Sequence, residues 1–374
     1  MKLKRFTALV ICIVLLISLL AGCGSKNEDC SFPDCGPDSP PHIDFNAAIS
    51  AFSPDTVMLK AGNSSFTWAE LYVILFNTVL NLSGSYGPEI PWDEVMEGAT
   101  LAELVMEYTI SEAMTFLTYM YGIESSGFVP TEHDLAELRE DLDSYIQEMG
   151  GKEALEEYLR ENSGIYNFEV FEKLLTVEFT VGLIADQMFG IDGSDFSDES
   201  VIEYAESRGF ELLMAMHILR LKSDDDTPLK EAEEILARLQ AQVGSADFVT
   251  RFNDEMFEHT EDMGGLMSFP NGYLFVPDAM VEAFSEATMN LRIGEMSGIV
   301  ETEYGYHIIL RIPVDYDTPL MTRGGTSPGT FRQQAAAGNF EALIDSWFES
   351  VDQNVEFTKE FDSIDLRKIF VFHG

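Results

Sequence analysis

Two of the six histidines stand inside runs of strand-forming apolar residues, where a polar ring is unexpected. His217 lies in LLMAMHILRLK and His307 lies in YGYHIILRI. On neighbouring strands of one sheet, two such rings can hydrogen-bond to each other, which fixes their tautomers and orientation. The pair is therefore either part of a functional site or a satisfied core pair that contributes rigidity, and the two interpretations are evenly balanced.

The composition limits which other catalytic, metal or binding sites the protein can contain. The cysteines, Cys12, Cys23, Cys30 and Cys35, all precede the folded body, so a cysteine nucleophile and a cysteine-based metal site are excluded there. We expect neither a metal nor a cofactor. With 22 Lys and Arg against 65 Asp and Glu, the formal net charge is −43, which argues against binding to nucleic acid or to anionic lipid head groups. Apolar residues still make up 46% of the chain, which predicts a globular protein.

The N-terminus has the layout of a secretion signal. The basic segment KLKR at 2–5 precedes an apolar run over 6–20 that is short for a membrane span. The segment LAGC at 20–23 resembles a bacterial lipobox, so we predict a lipoprotein signal peptide over 1–22 and lipid attachment at Cys23. An ordinary cleaved signal and an uncleaved anchor remain as alternatives.

After the predicted signal peptide, the sequence indicates first a tether and then a helical domain. Residues 23–54 are rich in proline and are predicted to be a flexible tether, in which Cys30 and Cys35 could form a disulfide or stay unpaired. Residues 55–208 show helical periodicity, with a capping box at Thr67 to Glu70 and a further helix start at Thr131. This part is predicted to be a helical, chaperone-like domain.

The pattern changes at Phe210. Residues 209–315 alternate strand-like and helical stretches and predict an α+β unit with a small, mostly antiparallel sheet and flanking helices. A Gly/Thr/Pro-rich linker is predicted over 316–330. Residues 331–374 carry an apolar stripe that would dock on 55–208. The predicted fold class is therefore α+β, with the α+β unit inserted in an all-α domain built from both chain ends.

Short motifs in the second half of the chain follow one another in a recognisable order. They are MHIL at 216–219, the helix over 231–241, ADF at 246–248, EDMG at 261–264, GYLF at 272–275, MVEAF at 280–284, GEMS at 294–297 and YGYHII at 304–309. In this order, the residues from about Glu211 to Pro313 resemble a parvulin-type peptidyl-prolyl isomerase domain. Together with the lipobox and the split helical domain, the whole chain resembles extracytoplasmic foldase lipoproteins of the PrsA kind, related in layout to the SurA kind.

The resemblance implies a role for eight residues. The implied catalytic group is His217, His307, Asp262 and Tyr304; the implied proline-binding group is Phe275, Met280, Phe284 and Leu266. Asp262 would polarise the region near the substrate carbonyl, with Glu258 as the reserve candidate. For the four apolar residues, ordinary core packing remains the alternative.

The sequence also departs from the family pattern. Gly272 stands where a pocket Leu or Met is common, and Tyr304 stands where a small polar residue is common. Acidic residues at 224–226 occupy the loop that is basic in phosphate-directed parvulins, so a preference for phosphorylated substrates is not expected.

The resemblance implies a membrane-tethered foldase that isomerises Xaa-Pro bonds in unfolded secreted polypeptides and also acts as a chaperone. The first alternative is a chaperone that only binds its clients through a weak or inactive parvulin domain. The second is a structural envelope lipoprotein. The net charge alone suggests basic, proline-containing clients.

Overall fold

The structure is a computed structural model that describes residues 42–96 and 98–373. The predicted signal peptide, the predicted lipidation site Cys23, and Cys30 and Cys35 lie outside the described residues. The chain divides into two units. Unit 1 contains the described residues up to Gln187 and from Glu341 onward, and unit 2 contains Met188–Phe340.

The helices of the described chain are, in order, α1 (Phe45–Ile49), α2 (Trp68–Tyr86), α3 (Leu101–Ser126), α4 (Glu132–Glu148), α5 (Lys152–Ser163), α6 (Phe168–Phe189), α7 (Asp198–Ser207), α8 (Thr227–Gln240), α9 (Phe248–His259), α10 (Met263–Ser268), α11 (Glu282–Asn290), α12 (Phe331–Asp352), α13 (Lys359–Asp362) and α14 (Leu366–Ile369). The strands are β1 (His42–Ile43), β2 (Val57–Ala61), β3 (Ser64–Thr67), β4 (Val95–Met96), β5 (Ala99–Thr100), β6 (Leu213–Leu221), β7 (Tyr273–Phe275), β8 (Met296–Glu301), β9 (Gly305–Arg311), β10 (Leu320–Thr322), β11 (Gly325–Thr326), β12 (Val355–Phe357) and β13 (Phe372–His373).

Unit 1 is mainly helical, and its core is formed by residues from both chain ends. Residues from α2 and α3 pack with Val351, Phe361 and Phe370 of the C-terminal segment. The predicted capping box at Thr67 begins α2, and Thr131 caps α4 as predicted. Both helices therefore start where their local sequence satisfies the free backbone N–H groups.

Unit 1 also contains short strands that the prediction of an all-α domain left out. Strands β3, β2 and β12 form an antiparallel sheet, and β1 pairs with β13. Residues 42–54, predicted as part of the tether, instead contribute Ile43, Ala48 and Ile49 to the core. These strands have five residues or fewer, so they are too short to show a periodic sequence signal.

Unit 2 confirms the predicted α+β class with a mostly antiparallel sheet. Its six strands run in the order β11-β10-β7-β6-β9-β8, and the β7–β10 pair is parallel. Because side chains alternate along a strand, β6 presents Met214, Met216 and Ile218 to one face and Leu213, Ala215 and His217 to the other. The first set packs with residues of α8 and α9, and the second packs with Phe284 of α11.

The predicted linker over 316–330 is part of the unit 2 sheet. Leu320 and Met321 of β10 pair with Leu274 and Phe275 of β7, and Leu320 is buried. Two ion pairs join neighbouring segments, because Arg332 contacts Asp198 at 2.7 Å and Asp317 at 2.8 Å. Unit 2 therefore extends well beyond the predicted limits of 209 and 315 on both sides.

A close helix contact in unit 1 gives a stability prediction. A Cβ atom at Gly122 of α3 would overlap the ring of Trp347 on α12. We expect Gly122→Ala to destabilise unit 1 by about 1–3 kcal/mol, because this packing has no room for a methyl group. All three tryptophans, Trp68, Trp92 and Trp347, lie in unit 1, so urea unfolding followed by tryptophan fluorescence measures this effect.

The matched control is Gly84→Ala on α2, where an added Cβ has no heavy atom within 4 Å. It should leave the stability unchanged or raise it slightly, because alanine favours a helix over glycine. Equal effects of the two substitutions would contradict this account of the contact.

Candidate functional site

The structure brings His217 and His307 together on one face of the sheet. In the antiparallel register, His217 lies opposite Ile309 and His307 lies opposite Leu219, so the two histidines are diagonal neighbours. Their Nδ1 atoms are 3.1 Å apart, and the rings stack with centroids 5.3 Å apart. Both are buried, so their ring nitrogens need protein partners.

Asp262 is the carboxylate that contacts this pair. Its Oδ2 accepts hydrogen bonds from His217 Nε2 at 2.9 Å and from the Tyr273 hydroxyl at 2.6 Å, and its Oδ1 accepts one from the Gly265 N–H at 2.9 Å. The hydrogen bond from His217 is the main reason why the pKa of Asp262 lies well below its usual range, and burial opposes the shift. Asp262 is therefore held in its ionised form.

The loop before α10 positions Asp262 beside strand β6. The Leu219 N–H donates to Thr260 Oγ1 at 3.1 Å, and the Glu261 N–H donates to the Leu219 carbonyl at 2.9 Å. Asp262 is also the N-cap of α10. Glu258, the reserve candidate, points into solvent next to His259 and does not contact the histidine pair.

The hydrogen bonds around the two histidines have one consistent direction when both rings are neutral. A carboxylate can only accept, so His217 Nε2 carries the proton and His217 Nδ1 is an acceptor. His307 Nδ1 therefore carries the proton and donates the hydrogen bond to His217 Nδ1. This leaves His307 Nε2 as the acceptor for the Thr302 hydroxyl, 2.8 Å away.

The surroundings favour the neutral form of His307. Burial lowers the pKa of His307 to about 4, with a further lowering from His217 and an opposing effect of Asp262. With both rings neutral, the chain of hydrogen bonds therefore runs from Thr302 through His307 and His217 to Asp262.

The predicted apolar trio, Phe275, Met280 and Phe284, lies in one cluster against this network. The Phe284 ring contacts His217 edge-on at 5.3 Å and His307 at 5.5 Å, and the Phe275 ring is 5.8 Å from Phe284. Phe275 and Phe284 are buried, whereas Met280 is partly open to solvent. Met280 is thus the member of the trio that a ligand can reach first.

Leu266 does not lie with the trio. It packs against the other apolar cluster of unit 2 and borders a small cavity together with His217, Asp262 and Tyr273. That cavity has a volume of about 10 Å³, which is at most the space of one water molecule. A proline ring therefore does not fit inside this cavity.

Tyr304 is also placed differently from the prediction. It is 57% exposed in the β8–β9 turn, and its hydroxyl has no hydrogen-bond partner among the described residues. The hydroxyl that contacts His307 belongs instead to Thr302, whose Oγ1 also accepts from the Tyr304 N–H at 3.2 Å. The turn backbone thus points Thr302 inward and Tyr304 outward.

Sequence reasoning missed Tyr273 and Thr302. Tyr273 could have been found, because it lies two residues before Phe275 in β7 and so shares its face of the sheet. Thr302 gave no local signal, because its contact with His307 depends on the shape of the β8–β9 turn.

The network requires a glycine at one position, which gives a prediction. A Cβ atom at Gly265 would overlap the Tyr273 hydroxyl and Asp262 Oδ2. We expect Gly265→Ala to destabilise unit 2 by about 1–3 kcal/mol and to disrupt the His217–Asp262 hydrogen bond. Side-chain ¹⁵N NMR of the histidines reads the tautomers directly.

Gly264→Ala is the matched control, since its added Cβ would lie 3.9 Å from Asp262 Oδ1. Its histidine spectrum should equal that of the unchanged protein. If Gly265→Ala also leaves the spectrum unchanged, the packing around Asp262 is looser than described.

The low pKa of His307 predicts a dependence of stability on pH. The ordinary pKa of 6.5 falls to about 4 in the folded protein, so folding favours the neutral ring. This stabilisation is complete above about pH 6.5 and is lost as the pH falls towards 4, with a total on the order of 3 kcal/mol. Urea unfolding of unit 2, followed through the NMR signals of the β6 and β9 amides at several pH values, measures it.

His307→Asn keeps a donor near the Nδ1 position but cannot titrate in this range. Between pH 6.5 and 4, its unit 2 stability should therefore fall less than that of the unchanged protein. Parallel pH curves for the two proteins would rule out His307 as the cause.

Comparisons with known proteins identify a matching family and several relatives. The model of the PPIC-type PPIase (rotamase) domain matches residues 214–312. The foldase protein PrsA of Halalkalibacterium halodurans is 28% identical over 284 residues, covering 71% of this chain and 77% of the relative. PrsA of Caldanaerobacter subterraneus subsp. tengcongensis is 33% identical over 164 residues, covering 42% and 47%. The crystal structure of PrsA from Bacillus subtilis is 19% identical, covers 85% of this chain and 99% of its own, and has a TM-score of 0.26.

The family match spans the strands that carry His217 and His307 and the segment that carries Asp262 and the apolar trio. Residues 214–312 are therefore a parvulin-type peptidyl-prolyl isomerase domain, in a chain that is similar to PrsA foldases over most of its length.

Proposed function

We propose that this chain is a lipid-tethered foldase that catalyses cis/trans isomerisation of Xaa-Pro bonds in secreted polypeptides outside the cytoplasm. The observation that carries the proposal is the hydrogen-bonded network of Asp262, His217 and His307 beneath the apolar cluster of Phe275, Met280 and Phe284. It lies in a domain that matches the PPIC-type family.

The chemistry suits such a site because no covalent bond has to break. An Xaa-Pro bond isomerises slowly because its amide has partial double-bond character, and the twisted amide is the high-energy state. An isomerase therefore binds the proline ring and stabilises the twisted amide relative to both planar forms. Met280 and Phe284 provide the apolar surface for the ring in this proposal.

Asp262 acts electrostatically in the proposed mechanism. Resonance places partial negative charge on the carbonyl oxygen of a planar amide, and twisting removes part of it. An ionised carboxylate near that oxygen disfavours the planar state and so lowers the barrier. Tyr273 and His217 keep Asp262 ionised and oriented, and the histidine pair contributes rigidity rather than proton transfer.

The proposed attachment to the membrane is through lipid on Cys23, as the lipobox-like segment suggests. Among the described residues, the segment Phe168–Gly193, which begins with α6, is long and apolar enough to cross a membrane by length and composition. Its residues Phe168, Phe171 and Leu174 belong to a core cluster, so we do not assign it this role. The proposed clients are unfolded polypeptides, with a preference for basic ones because of the net charge of −43.

A chaperone that only binds clients is the second candidate function. It is favoured by a cavity of about 310 Å³ in unit 1, whose lining is mainly apolar. The two candidates differ in whether the network in unit 2 accelerates isomerisation.

Substitution of Met280 tests the proposal. We expect residues 23–374 to accelerate isomerisation of an Xaa-Pro peptide, measured by NMR exchange. Met280→Ala should lower kcat/KM about tenfold, because one apolar contact to the bound ring is lost. Met289→Ala, at a position of α11 outside the cluster, should leave kcat/KM unchanged.

An absence of acceleration, combined with suppression of client aggregation, would instead support the binding-only chaperone. If the chain shows neither isomerisation nor suppression of aggregation, the result would support a structural lipoprotein. Equal losses in Met280→Ala and Met289→Ala would place the proline ring elsewhere.

A further inference from the structure

The cavity in unit 1 lies between strand β3 and helices α2, α3 and α6. We call it the unit 1 cavity. Its volume of about 310 Å³ is at the lower end of the range for ligand pockets, roughly 300–1,000 Å³. Its apolar lining is formed by Phe66, Val73, Ile74, Leu82, Phe116 and Leu174. A cavity of this size and character suits one large apolar side chain.

Three of the polar lining residues already have partners. The carboxylate of Glu70 accepts from the Thr67 backbone N–H and hydroxyl and forms an ion pair with Lys173. The Asn77 amide donates to the carbonyls of Val73 and Ser163, and the Thr78 hydroxyl donates to Ile74. The Glu70 carboxylate and the donors of Asn77 and Thr78 are thus already engaged within the protein.

Glu112 is different. It lines the same cavity from α3, is partly buried, and has no hydrogen-bond or ion-pair partner among the described residues. Burial raises its pKa, because the charged carboxylate loses water without gaining a cation. A ligand that brings a positive charge to Glu112 would restore that interaction.

The chemistry of the ligand follows from the two features together. The apolar lining selects a large apolar side chain, and the unpaired carboxylate selects a cation close to it. In a polypeptide, Lys and Arg supply that cation, and their flexible apolar stems can lie along the wall of a cavity. An acidic segment is disfavoured both by Glu112 and by the excess of 65 Asp and Glu over 22 Lys and Arg.

We propose that the unit 1 cavity binds client segments in which a large apolar side chain is adjacent to Lys or Arg, with the apolar side chain inside the cavity and the cation paired with Glu112. This inference rests on the proposed client-binding function and names the segment that unit 1 recognises. It uses no residue of the isomerase site, so the two can fail separately.

Fluorescence anisotropy with two labelled peptides tests the proposal on residues 23–374. The peptides are unfolded, lack proline and differ only in Lys or Gln next to a central Leu. The Lys peptide should bind about tenfold more tightly, and Glu112→Gln should remove that difference without changing the affinity for the Gln peptide. Glu107→Gln, at an exposed position of the same helix, should preserve the difference.

A second variant locates the apolar contact. Ile74→Trp places a larger ring at the cavity wall and should weaken binding of both peptides at least tenfold, while tryptophan fluorescence and circular dichroism check that unit 1 is folded. Equal affinity for the two peptides, a Lys preference that survives Glu112→Gln, or unchanged binding in folded Ile74→Trp would each overturn the proposal.

Isomerase activity of the same variants separates this result from the proposed function. Normal Xaa-Pro isomerisation without the Lys preference would reject the cavity assignment alone. A Lys preference that depends on Glu112, in a chain without isomerase activity, would reject the enzymatic proposal and retain the cavity assignment.

Discussion

The Asp262 carboxylate is the group on which the geometry of unit 2 depends most. Its two oxygens accept hydrogen bonds from the His217 ring, the Tyr273 hydroxyl and the Gly265 backbone. These donors come from strand β6, strand β7 and helix α10, so one ionised group joins three elements. Because a carboxylate only accepts, it also sets the tautomer of His217 and, through it, the proton positions on His307 and Thr302.

The alternation of side chains along β6 and β9 explains how one small sheet has both a core and a site. Met216, Ile218 and Ile308 fill the face that packs on α8 and α9, where the larger apolar cluster of unit 2 lies, and the opposite face carries a smaller cluster. The opposite face can therefore hold two histidines, provided that each ring nitrogen has a partner. Asp262 and Thr302 complete that requirement at the two ends of the pair.

The sequence predicted the parts of this arrangement that local periodicity determines. Period-two alternation specifies which residues of a strand share a face, whereas the pairing of the two histidine strands and the role of Asp262 were predicted from the resemblance to parvulin domains. Strand β10 was mistaken for a linker, because its three residues are specified by pairing with β7 rather than by their own pattern. Thr302 was missed for a related reason, since its contact with His307 depends on the shape of the β8–β9 turn and not on a periodic pattern.

The departures from the family pattern change the apolar side of the site more than its polar side. Gly272 cannot be replaced by the usual larger residue, because its φ is +108° and an added Cβ would lie 2.8 Å from the Ala215 carbonyl oxygen. The next residue, Tyr273, instead extends to Asp262 and lies 5.5 Å from the His217 ring. The polar network is thus complete, while the apolar surface near Leu266 is reduced. In the proposed mechanism, a site altered in this way loses contact area for the substrate before it loses the electrostatic pattern that favours a twisted amide. Under the proposed function, weak substrate binding rather than a defective network would therefore limit isomerisation, and the proposed client binding in unit 1 would offset that weakness.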